Sequence, residues 1–228
     1  MDKELRYAFK QTIPVLLGYV FLGIGFGILL KEAGYNFLWA LVISTVIYAG
    51  SMQYVLVSFL GSPISLVTVA IMTLSINGRH LFYGLSFIER FKSMGKLYPY
   101  MVFSLTDETY SLLYATQIPE ELEEKKVSFL ISLLDQIYWV SGSVIGALIG
   151  ELIFFNTTGI DFAMTALFVV IFLEQWLAAK NHLPALIGMV SGIICLLLFG
   201  EKNFLLPSLI VTVGVLLLTK PLLSRKEA

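Results

Sequence analysis

Apolar residues along the chain fall into eight long runs parted by short polar stretches, at residues 11–30, 37–60, 64–87, 97–117, 127–152, 162–179, 184–199 and 204–219. A helix rises about 1.5 Å per residue, so crossing the hydrocarbon of a bilayer takes about 20 apolar residues. Most of the runs reach that length, while 184–199 is short for a span. The pattern therefore predicts an all-α integral membrane protein of about 6–8 transmembrane helices, one or two of them broken or re-entrant. A single membrane domain is expected over residues 1–228, with room for two structural repeats at residues 11–117 and 127–219.

Small residues say how the helices meet. Gly23-x-x-x-Gly27 in the first run and Gly142-x-x-x-Gly146 in the fifth each put two glycines on one helix face, where a neighbouring backbone can come close. Pro119, with the acids that follow it, reads as the solvent end of the fifth helix, because proline fits the first helical position and acids suit a helix N-terminus.

Polar interruptions point to chemistry. The stretch Ser75-Ile76-Asn77-Gly78-Arg79-His80-Leu81-Phe82-Tyr83-Gly84 sets an arginine and a histidine inside the third run, and the nearest charged residue before Arg79 is Glu32. An unpaired arginine at mid-bilayer costs at least about 2.5 kcal/mol, so it needs a partner or a task. Asn77 and Gly78 are poor helix-interior residues, and the expectation is a helix break lining a polar cavity. Thr106-Asp107-Glu108-Thr109 lies near the middle of the fourth run among Phe103, Leu105, Tyr110, Leu112 and Leu113, where two acids cannot form a solvated face. One of them is expected to meet Arg79, and only one, since adjacent helical side chains diverge by about 100°. Gln53, within Tyr48-Ala49-Gly50-Ser51-Met52-Gln53-Tyr54, needs a hydrogen bond across helices or to a ligand. Asp135, Glu151, Asp161 and Glu174 fall toward the ends of their runs and read as interfacial. Met52-Gln53-Tyr54 finds an echo in Glu174-Gln175-Trp176, which adds Gln175 to the candidates.

Composition narrows the classes. The chain is 57% hydrophobic and 14% charged with a net charge of -1, which leaves no basic face for nucleic acid. Its single cysteine, Cys195, excludes an internal disulfide, and His80 and His182 lack metal-ligand spacing, so no metal or cofactor is expected. The first run exceeds a signal-peptide core and reads as a retained helix. Lys3, Arg6 and Lys10 favour a cytoplasmic N-terminus, and both topologies that fit the runs put the two termini in the cytoplasm. If all eight runs span, Lys125, Lys126 and Lys180 lie inside; if the third and seventh are re-entrant, Arg90, Lys92 and Lys96 take their place and the halves are inverted. The charge rule does not choose between them.

Three motifs carry a family likeness: Gly50-Ser51-Met52-Gln53-Tyr54, then Asn77-Gly78-Arg79-His80-Leu81-Phe82-Tyr83-Gly84, then Leu105-Thr106-Asp107-Glu108-Thr109. In order and spacing the chain resembles, over nearly its whole length, the AzlC family, large subunits of bacterial branched-chain amino acid exporters of the LIV-E type. The resemblance implies a permease of the bacterial inner (cytoplasmic) membrane that exports leucine, isoleucine, valine and methionine, driven by the proton gradient, with a small AzlD-type membrane subunit.

The residues make a compatible site for a zwitterion. Arg79 suits the substrate carboxylate, Asp107 or Glu108 suits its ammonium group or a coupled proton, and His80 suits a proton-linked role. Gln53, Asn77 and Tyr83 supply neutral hydrogen bonds, with Tyr83 one turn from Arg79. The competing reading is a structural ion pair between Arg79 and one of the acids. A membrane-embedded enzyme or a channel for another small solute is the alternative function; the chain has no His-Glu-x-x-His and no Gly-x-Ser-x-Gly, so no enzyme is expected.

Overall fold

The computed structural model describes residues 2–60, 64–152, 169, 172–173, 176–177, 181–200 and 204–224. Every regular element among them is helical, in line with the all-α expectation. The chain forms two compact units, one of residues 1–65 and 76–165, the other of residues 66–75 and 166–228.

The first unit contains α1 (Lys3–Glu32), α2 (Phe37–Val46), α3 (Gly50–Leu60), α4 (Leu66–Lys92) from residue 76 onward, α5 (Tyr98–Phe103), α6 (Asp107–Ala115) and α7 (Glu124–Leu152). In the second, α8 (Leu183–Phe199) packs on α9 (Leu205–Ser224). Among the described residues, α1 and α7 are long and apolar enough to cross a membrane by themselves. Leu17, Phe21, Leu148 and Leu152 on these two helices are exposed, as side chains that face acyl chains would be.

α1 and α7 run parallel and in register. Lys126, at the start of α7, pairs with Asp2 and lies 3.5 Å from Glu4 at the start of α1. At the other end Lys31 pairs with Glu151 at 3.4 Å. Between these pairs the two glycine motifs meet each other: Gly23 and Gly27 face Trp139, Gly142, Ser143, Gly146 and Ala147, while Gly142 and Gly146 face Val20 and Ile24. Lys126 thus shares an end with the N-terminus, and so does Arg90, which pairs with Glu124 at the start of α7, so this end combines the two alternative charge groupings. α7 itself begins at Glu124, five residues after Pro119, which lies in the preceding turn.

The predicted break at Asn77 and Gly78 is not there. α4 runs through both without interruption, since one glycine costs a helix only about 1 kcal/mol. The breaks fall in the second and fourth runs instead. α2 ends at Val46 and α3 starts at Gly50, with Tyr48 between them in the left-handed region at φ 41°. α5 ends at Phe103 and α6 starts at Asp107, capped by the Thr106 side chain, which accepts from Thr109 N at 3.3 Å.

Both broken runs double back. The Tyr7 hydroxyl donates to the Gln117 carbonyl at 2.9 Å, and Tyr98 and Ile118 pack on one cluster with Ala8 and Val127, so the chain enters α5 and leaves α6 at the N-terminal end. The turn between them reaches Tyr19, about 18 Å deeper along α1 at the helical rise. α2 starts five residues after α1 ends, at the opposite end, and descends until Thr45 O accepts from Gln136 Nε2 at 3.3 Å. α3 then turns back, with the Tyr54 hydroxyl donating to Leu22 O at 2.6 Å. The two turns meet at mid-depth, where the Tyr48 and Phe103 rings lie 6.1 Å apart.

Candidate functional site

Because both runs break at mid-depth, α3 and α6 each begin there, and two helix N-termini with their partial positive charge face the middle of the unit. Asp107 and Glu108 are the first two residues of α6, where the dipole favours carboxylates. The sequence placed them inside a span; the structure makes them a helix start, and Thr106 is its cap.

The two acids diverge as neighbouring helical residues must. Asp107 turns toward α4, its Oδ1 3.4 Å from His80 Nε2, with both side chains about a quarter exposed. Glu108 turns toward α1 and accepts from the Tyr19 hydroxyl at 2.7 Å. On α4, Asn77, His80 and Tyr83 recur every three residues on one face. Tyr83 stacks on Tyr110 of α6 at 4.5 Å and meets His80 edge-on at 6.0 Å. Asn77 is half-buried, with Oδ1 out of reach of any donor among the described residues. Arg79 lies in α4, but its side chain falls outside the described residues, so its expected pairing with an acid stays a proposal.

Gln53 sits in the first turn of α3, fully buried. Its Oε1 accepts from Trp139 Nε1 at 2.8 Å, and its Nε2 has no acceptor among the described residues. The structure therefore brings together His80, Tyr83, Asp107 and Glu108 around the start of α6, leaves Asn77 one turn before His80 on α4, and sets Gln53 at the start of α3. Gln175 lies outside the described residues.

Four residues of this region were not singled out as candidates from the sequence. Tyr19 lies 2.6 Å from Thr106 Oγ1; Thr106 Oγ1 donates to Thr109 Oγ1 at 3.1 Å, and Thr109 donates to Asp135 Oδ2 at 2.8 Å. Asp135, read as interfacial, is fully buried, and that reading is corrected. The signal was there in its spacing: Ser128, Asp135, Gly142 and Gly146 fall on the stripe of α7 that carries the glycine motif.

Arg90 proves to be a staple of the N-terminal end, where it had read as a loop charge. Its Nε lies 2.8 Å from Glu124, and it donates to Leu113 O at 2.9 Å and to Ser128 Oγ at 3.0 Å, tying α4, α6 and α7. An open pocket of about 550 Å³ adjoins it, lined by Leu113, Tyr114, Thr116 and Glu120 among others. In the second unit a pocket of about 590 Å³ is lined by Phe172, Trp176, Asn181, Pro184 and Met189 among others. Neither is lined by a predicted site residue. Among the described residues no three His, Cys, Asp or Glu side chains converge as metal ligands would.

Two doubled-back segments with buried polar groups at their inner helix ends are tolerated in a bilayer where they are packed in protein or line a cavity, which fits the class of polytopic membrane proteins. The comparisons agree with that class. Residues 14–153 match the AzlC protein family model, and the chain belongs to that family. It is 40% identical over 218 residues to the branched-chain amino acid transport protein AzlC of Bacillus subtilis, covering 95% of this chain and 86% of the relative. An uncharacterized membrane protein of Helicobacter pylori is 43% identical over 216 residues, 95% of each chain. The inner membrane protein YgaZ of Escherichia coli is 26% identical over 197 residues, 81% of this chain and 79% of the relative. No solved structure matches the chain.

Proposed function

We propose that the chain is the large subunit of a permease that exports leucine, isoleucine, valine and methionine across the bacterial cytoplasmic membrane, driven by the proton gradient and assisted by a small AzlD-type membrane subunit, with both termini in the cytoplasm. The observation that carries this is the 40% identity with the Bacillus subtilis transport protein over 95% of the chain. The geometry supports it. A zwitterionic amino acid needs positive charge for its carboxylate, and the inner ends of α3 and α6, with Arg79, offer it. It needs an acceptor for its ammonium group, the role of Asp107 beside His80. Gln53 Nε2 and Asn77 Oδ1, buried without partners among the described residues, are hydrogen-bonding groups available to a ligand.

Efflux from cells loaded with dipeptides of these amino acids, with and without the small subunit and with Asp107→Asn, tests the reading. Efflux above background that needs the small subunit and is lost in Asp107→Asn is the expected result. Background efflux from cells whose membranes contain both subunits would overturn the amino acid assignment, and full efflux by Asp107→Asn would remove Asp107 from the site.

A further inference from the structure

Asp135 has no role in the substrate site as proposed, yet it is fully buried and stands at the end of an unbroken line of hydroxyls. The line starts at Glu108, which is exposed, and runs through Tyr19 at 2.7 Å, Thr106 at 2.6 Å, Thr109 at 3.1 Å and Asp135 at 2.8 Å. These separations suit O–H···O hydrogen bonds.

We propose that Asp135 is the proton-carrying carboxyl of the transport cycle, and that Tyr19, Thr106 and Thr109 pass the proton between it and Glu108. This rests on the proton-driven reading above. The Tyr19 hydroxyl has one hydrogen and two oxygens in reach, Glu108 Oε2 and Thr106 Oγ1. While Glu108 is ionised, the hydroxyl donates to it. Once Glu108 takes up a proton, the hydroxyl turns to Thr106 and the line points one way. Glu108 then gives its proton to the Tyr19 oxygen, Tyr19 gives its own to Thr106, Thr106 to Thr109, and Thr109 to Asp135 Oδ2. Each hydroxyl loses one proton and gains one, so the result is an ionised Glu108 and a neutral Asp135.

The surroundings of Asp135 fit that role. Among the described residues, the titratable groups that interact with it are Tyr19 from α1, Tyr48 from the turn before α3, Tyr100 from α5, Glu108 from α6 and Tyr138 on its own helix, and none of these is a cation. Its second oxygen, Oδ1, has no hydrogen-bond partner among the described residues. Among the described residues an ionised carboxylate there has the Thr109 hydroxyl alone to offset its lost hydration, so charge on Asp135 strains the site. Its neighbour Gln136 bonds both doubled-back segments, through Thr45 O and the Tyr100 hydroxyl, so gain and loss of the charge acts where their turns meet.

The test has two arms. Infrared difference spectra of the full chain in lipid, taken between acid and neutral pH, need no transport. A carboxyl band that resists exchange of bulk water for D2O is expected in the wild type, lost in Asp135→Asn, and kept in Tyr138→Phe, which removes a buried hydroxyl outside the line. The same band persisting in Asp135→Asn would overturn the assignment even if no amino acid is moved. In liposomes, pH-gradient-driven efflux relative to amino acid counterflow is expected to fall in Tyr19→Phe and Thr109→Val and to return in Thr109→Ser. Unchanged gradient dependence in both Tyr19→Phe and Thr109→Val would overturn the relay. Wild-type protein that gives the band but moves no branched-chain amino acid would instead overturn the substrate reading.

Discussion

Gly27 of α1 stands against Gly146 of α7 so closely that neither has room for a side chain. A Cβ on Gly27 would overlap the Ser143 carbonyl oxygen, and one on Gly146 the Ile24 carbonyl oxygen. Both obstacles are backbone atoms of the facing helix, so no rotamer change relieves them. Overpacking of this kind costs about 1–3 kcal/mol, and rigid neighbours favour the upper part of that range. Gly27→Ala and Gly146→Ala are therefore expected to lower the unfolding midpoint in mixed micelles followed by circular dichroism. Gly18, on the same helix, has nothing within 4 Å of its would-be Cβ. Gly18→Ala should be neutral or stabilising by up to about 1 kcal/mol, through helix propensity. Equal losses at all three positions would contradict the seam.

The N-terminal ends of α1 and α7 are tied by Asp2, Glu4 and Lys126. A hydrogen bond with Glu4 and then the Lys126 ammonium hold the Asp2 carboxyl below its usual 3.8. A group whose folded pKa is depressed stabilises the fold above its unfolded value and loses that contribution as pH falls through the folded one. The difference in thermal midpoint between wild type and Lys126→Ala should thus be flat from neutral pH down to about 4 and shrink below it. Added salt should shrink it as well, because the pair is at the surface. A difference that grows on acidification would show that another group sets the pH dependence.

How much could be read from the chain differs from element to element. The glycine motifs were legible because close approach needs small residues at fixed spacing, and the two motifs proved to be partners. Apolar surroundings mark Asp107 and Glu108 as functional candidates, but the longer apolar run masks the cap signature Thr106-Asp107-Glu108-Thr109. Hydropathy cannot tell a spanning helix from two short helices that turn back, since both bury the same apolar residues. Weak helix propensity therefore points to Asn77 and Gly78 for a break, whereas the chain breaks at Tyr48 and at Ser104–Thr106, where the turn meets partner side chains. The hydroxyl line was invisible because its members come from three separate stretches, and only the packing of α1, α6 and α7 joins Tyr19 and Asp135 to Thr106 and Thr109.

The doubled-back path of α5 and α6 makes a prediction that hydropathy alone would reverse. If residues 97–117 crossed the bilayer as one helix, Lys96 and Glu120 would lie on opposite faces. In the structure both belong to the end where α1 begins, near Met94 on one side and Ile118 and Leu122 on the other, all packed on one cluster. Ala33, after the last turn of α1, belongs to the other end. Lys96, Glu120 and Ala33 are all exposed, so single cysteines there should react. In a Cys195→Ser background, a membrane-impermeant maleimide added to intact cells is expected to label Ala33→Cys only. After permeabilisation it should label Lys96→Cys and Glu120→Cys as well. Opposite behaviour of Lys96→Cys and Glu120→Cys would sink the doubled-back path, and labelling of both in intact cells would keep the path but put the N-terminus outside.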